Sequence, residues 1–236
     1  MAKVFAYHMP QAAKSLSKEE TTTKNTTLKK EEPESEKASL NFADEALPEG
    51  DPRVEKKMKS TLATFSYANL QTNRLHRKAV EWFPVIEPIL EDFGIPNDFK
   101  YVPLVESGLK EGVSSKGAAG FWQFMPGTAR TYGLKVNSNV DERKNLRKST
   151  IAACKYIKEL YGVFGNWTMV AAAYNVGDNH MRKQMNKQNQ DNYFKMKLNR
   201  ETAGYVYKLI SMKEIMEDPA RYGYRAPRAL LAMNAE

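Results

Sequence analysis

A glutamate that ends a run of apolar residues is the first point in this sequence where chemistry can sit. Glu106 closes Tyr101-Val-Pro-Leu-Val-Glu, so its carboxyl group is expected against apolar neighbours. Loss of hydration disfavours the charged carboxylate and raises its pKa, which suits a general acid near neutral pH. A glutamate at a helix end is also a common solvated side chain, and this residue alone does not decide between the two.

Three other clusters carry candidate groups. In Gly117-Ala-Ala-Gly-Phe-Trp-Gln-Phe-Met-Pro-Gly127, glycines beside bulky aromatics suggest close backbone approach next to a concave apolar wall. Trp122 has the shape to stack on a sugar face and Gln123 the groups to bond an N-acetyl substituent. Phe121 and Phe124 read better as core. In Ala172-Ala-Tyr-Asn-Val-Gly177 an apolar helix meets a polar break, where Asn175 either terminates the helix or bonds a substrate. In Glu201-Thr-Ala-Gly-Tyr-Val206, Tyr205 either bonds a carboxylate or packs.

The elements that must position these residues are helical. Leu75, Ala79, Trp82, Phe83, Ile86, Ile89, Leu90 and Phe93 recur at three- and four-residue steps, and Gly94 ends the run. A helix over about 97–107 should kink at Pro103. Asn145 can cap a helix that carries Ile151, Cys154, Ile157 and Leu160 on one face. The apolar run Trp167 to Tyr174 predicts a helix buried in mid-domain, and Met181–Gln188 and Glu201–Glu217 complete the set. No alternating strand pattern of useful length and no internal repeat appears. The fold class expected is mainly α, with one domain over 53–225, an N-terminal tail over 1–52 and a short C-terminal tail over 226–236. The tail expectation rests on composition: residues 11–50 are rich in Lys, Glu, Thr and Ser and support no core.

Charge and cysteine usage narrow the classes. Residues 1–50 hold seven Lys against nine Asp or Glu, which leaves +10 on the remainder of a chain whose net charge is +8. A basic domain calls for an anionic partner: nucleic acid, a membrane surface or a charged cell-wall polymer. Cys154 is the only cysteine, so no internal disulfide forms, and its apolar helical setting reads as core. His8, His76 and His180 have no ligand spacing, so no metal and no cofactor are expected. No stretch reaches the ~20 apolar residues of a membrane span, and Met1–Tyr7 does not continue into a signal-peptide core.

Taken together and in order, the four clusters resemble the lytic transglycosylase family with the goose-lysozyme-like fold (glycoside hydrolase family 23), and within it the membrane-bound D-type branch. That family reads Glu-Ser-Gly, Gly-x-x-Gln, Ala-Tyr-Asn-x-Gly and Glu-Thr-x-x-Tyr-Val. Here these are Glu106-Ser107-Gly108, Gly120-Phe-Trp-Gln123, Ala173-Tyr-Asn-Val-Gly177 and Glu201-Thr-Ala-Gly-Tyr205-Val206. The resemblance covers about residues 70–224. It implies a lysozyme-like helical domain in which Glu106 is the single catalytic acid and base and Tyr205 hydrogen-bonds it. Ser115, Trp122, Gln123, Tyr174 and Asn175 are then expected to contact substrate. Trp122 departs from the Met of the wider family.

The implied reaction cleaves the β-1,4 bond between N-acetylmuramic acid and N-acetylglucosamine in peptidoglycan and closes a 1,6-anhydro ring. Ordinary glycosidases flank the bond with two carboxylates. No second carboxylate is expected at a motif position, and Glu111, Asp141 and Asp178 read as solvated or capping. Two alternatives remain: a hydrolytic muramidase of the same fold, and a non-catalytic peptidoglycan-binding protein. A nucleic-acid partner is not expected, since no binding motif accompanies the charge. The implied setting is the periplasm or outer membrane, compatible with a removed N-terminal anchor, and a monomer.

Overall fold

A computed structural model describes residues 39–108 and 113–225. Most of the expected N-terminal tail, the C-terminal segment and Glu111 lie outside those residues. The described part is mainly α, as the periodicity predicts.

The first described element lies before the expected boundary at residue 52. Asn41–Phe42 (β1) and Glu45–Ala46 (β2) form a two-stranded antiparallel hairpin, with Asn41 opposite Ala46. Phe42 is fully buried and meets Phe99 edge-on at 5.1 Å between ring centroids. Asp98 Oδ2 accepts from the Ala43 amide at 2.7 Å and from Lys213 Nζ at 2.8 Å. A polar average hides the apolar side chains of Phe42 and Leu47, both buried in the core.

Pro52–Phe65 (α1) begins with Asp51 accepting from the Arg53 amide at 2.9 Å and Pro52 in the first turn, where its missing N–H costs nothing. It buries only Val54, Met58 and Phe65, a stripe too sparse to stand out in the sequence. Tyr67–Leu70 (α2) is a single turn, and Arg74–Asp92 (α3) buries the predicted face from Leu75 to Leu90. Pro84 and Pro88 lie inside α3, which packs on the later helix Leu146–Phe164 (α6).

The helix expected over 97–107 is broken into three pieces: a 3₁₀ turn Asn97–Lys100, one α turn Tyr101–Pro103 (α4) and a wide π-type turn Leu104–Gly108. Proline removes a backbone donor within this stretch, and wide turns of this kind recur at functional sites. Pro126–Thr131 (α5) precedes a 3₁₀ turn at Glu142–Lys144. Leu146–Phe164 (α6) is capped as predicted, with Asn145 Oδ1 accepting from the Lys148 amide at 2.9 Å. Trp167–Val176 (α7) buries Thr168 through Ala173 between α6 and Thr202–Glu217 (α9). Asp178–Gln188 (α8) starts directly after Gly177, earlier than the predicted Met181. The hairpin closes onto this centre. Glu45 accepts from the Trp167 and Thr168 amides, placing a carboxylate at the positive N-terminus of α7.

Cys154 is fully buried, and burial pushes its thiol up to about 12, so it is an inert core residue.

Candidate active site

A cleft of about 710 Å³ opens where α7, the wide turn and the N-terminus of α9 meet the loop before α5. Glu106, Ser115, Gln123, Tyr174 and Asn175 all line it. Residues spread over some 70 positions of sequence are thus brought to one concavity.

Glu106 stands on the π-type turn, half-buried, with its neighbours Leu104 and Val105 in the core. Tyr205, almost wholly buried one turn into α9, donates its hydroxyl to Glu106 Oε1 at 2.6 Å. Burial is the main influence on Glu106 and pushes its carboxyl group above the usual range. The Tyr205 hydrogen bond opposes that shift by stabilising the carboxylate, Glu201 adds to it, and Lys208 opposes it. The result is an acid that holds its proton into a higher pH range than a solvated glutamate.

Glu201 corrects the expectation that no second carboxylate stands at a motif position. It opens the fourth motif, is exposed, and lines the same cleft. Asp141 and Asp178 are as read. Asp141 caps the 3₁₀ turn and pairs with Arg143, whose hydrogen bonds hold its carboxyl group below the usual range. Asp178 sits in the first turn of α8 and pairs with Arg182 at 3.4 Å.

Trp122 is the second correction. Only 1% of it is exposed, and its indole N–H donates to Thr150 Oγ1 at 3.0 Å. An indole buried on both faces cannot stack on a sugar. What it offers the cleft is its backbone: the Trp122 carbonyl accepts from Tyr174 Oη at 2.9 Å and so fixes the ring of Tyr174 in the wall. Phe124 is core as read, whereas Phe121 is half-buried. Phe121 meets Trp82 at 5.0 Å, edge to face, and the two wall a smaller hollow of about 280 Å³ on the far side of Gln123.

Gln123 itself is in the left-handed region at φ 47°, unusual for a residue with a side chain and costing of order 1–3 kcal/mol. Its Nε2 donates to the Gly120 carbonyl at 2.9 Å, and among the described residues its Oε1 meets no donor. Gly120 is at φ +79°, and a Cβ there would lie 1.9 Å from the Arg143 carbonyl oxygen, so only glycine fits. Arg143 is the organiser that sequence reading missed. Its buried guanidinium donates to the Gly117 and Phe124 carbonyls at 2.8 and 2.9 Å while held by Asp141. The signal available was an Asp-x-Arg pair, too common to single out.

On the other wall, Asn175 Oδ1 accepts from Thr202 Oγ1 at 3.0 Å, and Thr202 Oγ1 in turn accepts from Asn199 Nδ2. This chain fixes the amide so that Asn175 Nδ2 is left to the cleft. Asn175 does not terminate α7, which ends at Gly177 with φ 92°. Ser115 is exposed at the rim. No group of three or more metal-ligating side chains occurs among the described residues.

A carboxylic acid with a raised pKa, set in the floor of a cleft in a helical domain, is the equipment of acid–base catalysis. Residues 90–197 match the family described as Transglycosylase SLT domain. The membrane-bound lytic murein transglycosylase D of Escherichia coli strain K12 is 31% identical over 187 residues, which span 77% of this chain and 40% of that protein. The same protein from E. coli O6:H1 gives equal values. The chain therefore covers well under half the length of these relatives. An inactive mutant of the lytic transglycosylase Slt from Pseudomonas aeruginosa, solved by X-ray diffraction, covers 75% of this chain and 34% of its own at 17% identity and a TM-score of 0.45.

Proposed function

We propose that this protein is a peptidoglycan lytic transglycosylase acting on the bond between N-acetylmuramic acid and N-acetylglucosamine. The observation that carries this reading is Glu106: a carboxyl group with a raised pKa, in a cleft, bonded by a buried tyrosine. Glu106 protonates the glycosidic oxygen, and the bond from that oxygen to C1 of the muramoyl sugar breaks. The positive centre at C1 is met by the sugar's own N-acetyl oxygen. Glu106, now a carboxylate, takes the proton of the 6-hydroxyl, whose oxygen bonds C1 and closes the 1,6-anhydro ring. No water is consumed, and Glu106 ends as it began, protonated.

The other residues position substrate. Tyr205 aims the Glu106 carboxyl group and limits how far its pKa rises. Gln123 Oε1 and Asn175 Nδ2 present an acceptor and a donor from opposite walls, suited to an N-acetylated sugar. Ser115 and Tyr174 border the same space. The catalytic unit includes the hairpin at residues 41–46 and works as a monomer on glycan strands, on the periplasmic side where that polymer lies. Among the described residues no helix is long and apolar enough to cross a membrane.

A hydrolytic route is the second reading, favoured by Glu201 in the same cleft, since a second carboxylate can activate water. Mass spectrometry of peptidoglycan digested by the purified protein separates the two. Anhydromuramoyl ends are expected, and reducing ends would replace this reading with the hydrolytic one.

A further inference from the structure

Between α1 and α9 lies a second hollow, about 800 Å³ in volume, whose charged lining is all of one sign. Arg53, Lys56 and Lys57 come from α1, Arg200 from the segment before α9, and Lys208 from α9. Hydroxyl groups of three α1 residues add hydrogen-bonding capacity, and no carboxylate belongs to the lining. Arg53 pairs with Asp51 at 3.0 Å, whereas Lys56, Arg200 and Lys208 have no ion-pair partner among the described residues. Cations gathered in a concavity and left unneutralised concentrate anions there.

The N-terminus of α9 is the ridge between this hollow and the Glu106 cleft. Arg200 lines the hollow, Glu201 and Thr202 line the cleft, and Lys57 Nζ donates to the carbonyl of Ala203. A helix with its side chains is about 10–12 Å across. Three or four extended residues, at about 3.3–3.6 Å each, cover that distance.

We propose that this basic groove receives the carboxylate-bearing peptide stem of the glycan strand held in the cleft, an assignment that rests on the transglycosylase reading above. The stem is a short acidic chain, its carboxylates suit the cations that have no ion-pair partner, and its attachment to the sugar puts it within reach of the ridge. A concave lining suits a chain that enters it better than a lipid surface, which calls for an exposed apolar face beside the cations.

The test uses the full chain carrying Lys56→Glu and Arg200→Glu together, both at exposed positions outside the Glu106 cleft. Cleavage is measured on glycan strands with stems and on strands stripped of them by an amidase, alongside a melting curve. On stem-bearing strands KM should rise about 5- to 10-fold with kcat kept, as expected for losing and reversing two exposed charge contacts. On stripped strands KM should not move, and at about 1 M salt the difference should vanish, because screening then acts within about 3 Å. A free acidic tetrapeptide should inhibit the wild type and not the variant. Equal effects on both substrates, or none, overturn the groove assignment while leaving anhydro products and the transglycosylase reading in place. Lost binding to anionic vesicles with unchanged KM overturns it in favour of a lipid surface. A wild type that releases anhydro products from neither substrate sinks the underlying reading instead.

Discussion

Tyr205 Oη and Glu106 Oε1 are 2.6 Å apart across 99 positions of sequence, and the two residues pull the same proton equilibrium in opposite directions. Burial makes Glu106 hold its proton; the tyrosine hydroxyl, which donates, favours letting it go. A group that must first give a proton and then take one back is served by opposing influences of this kind. The tyrosine has no competing use for its hydroxyl, since burial and the neighbouring Glu106 charge push its own pKa well above the ordinary value.

Tyr205→Phe removes the donor and keeps the ring. Turnover should fall about 10-fold or more, given about 1.5–3 kcal/mol for a hydrogen bond to a charged group. Without that bond the carboxylate is less stable, so the pKa of Glu106 rises further. The pH–rate profile of the variant should shift to higher pH on the limb governed by Glu106. Wild-type rates with an unmoved profile would reduce Tyr205 to a packing residue.

Glu106→Gln should abolish anhydro product formation, with a loss at or above the roughly 10²–10⁴-fold typical of one general acid–base group. Its stability should depend on pH in a definite sense. The folded-state pKa of Glu106 lies above its unfolded value, so the wild type loses stability as pH rises from the ordinary carboxyl pKa through the folded one. The amide has no such penalty. The melting midpoint of the variant relative to wild type should therefore be greater at neutral pH than near pH 4, and an equal difference at both would contradict the raised pKa.

Phe42→Ala tests the boundary. The ring is fully buried against Phe99, so its loss should cost about 3–5 kcal/mol. Denaturant unfolding is the measurement. A change under about 0.5 kcal/mol would return residues 41–47 to the tail.

Thr150→Val separates the two readings of Trp122. It leaves the buried indole N–H without a partner, at a cost of about 1–3 kcal/mol, while the cleft keeps its lining. Stability should drop and KM for glycan strands should stay put. A raised KM with unchanged stability would put Trp122 back among the groups that sense the sugar.

Much of the fold was legible in the sequence because its signals are local. The period of α3, the Asn145 cap of α6 and the apolar run of α7 each lie within one element, where side chains three or four apart must share a face. The apolar setting of Glu106 was legible for the same reason, Leu104 and Val105 being adjacent in the chain. Where the signal was sparse, reading failed: α1 buries three residues in fourteen, and the hairpin hides one phenylalanine in a charged segment.

Other features were decided only in three dimensions. Trp122 and Phe121 are consecutive aromatics of similar chemistry, yet one is bonded to Thr150 in the core and the other half-faces a hollow. Their order in the chain carries no information about which side of the loop is inside; that follows from Arg143 pinning the loop and from the space left at Gly120. Glu201 reads as one more surface glutamate until α9 packs beside the wide turn and sets its charge near Glu106. The sequence thus determined which groups exist and which helices carry them. Packing decided which of them share one cleft, because burial and Coulombic influence depend on distance in space, which chain position does not encode.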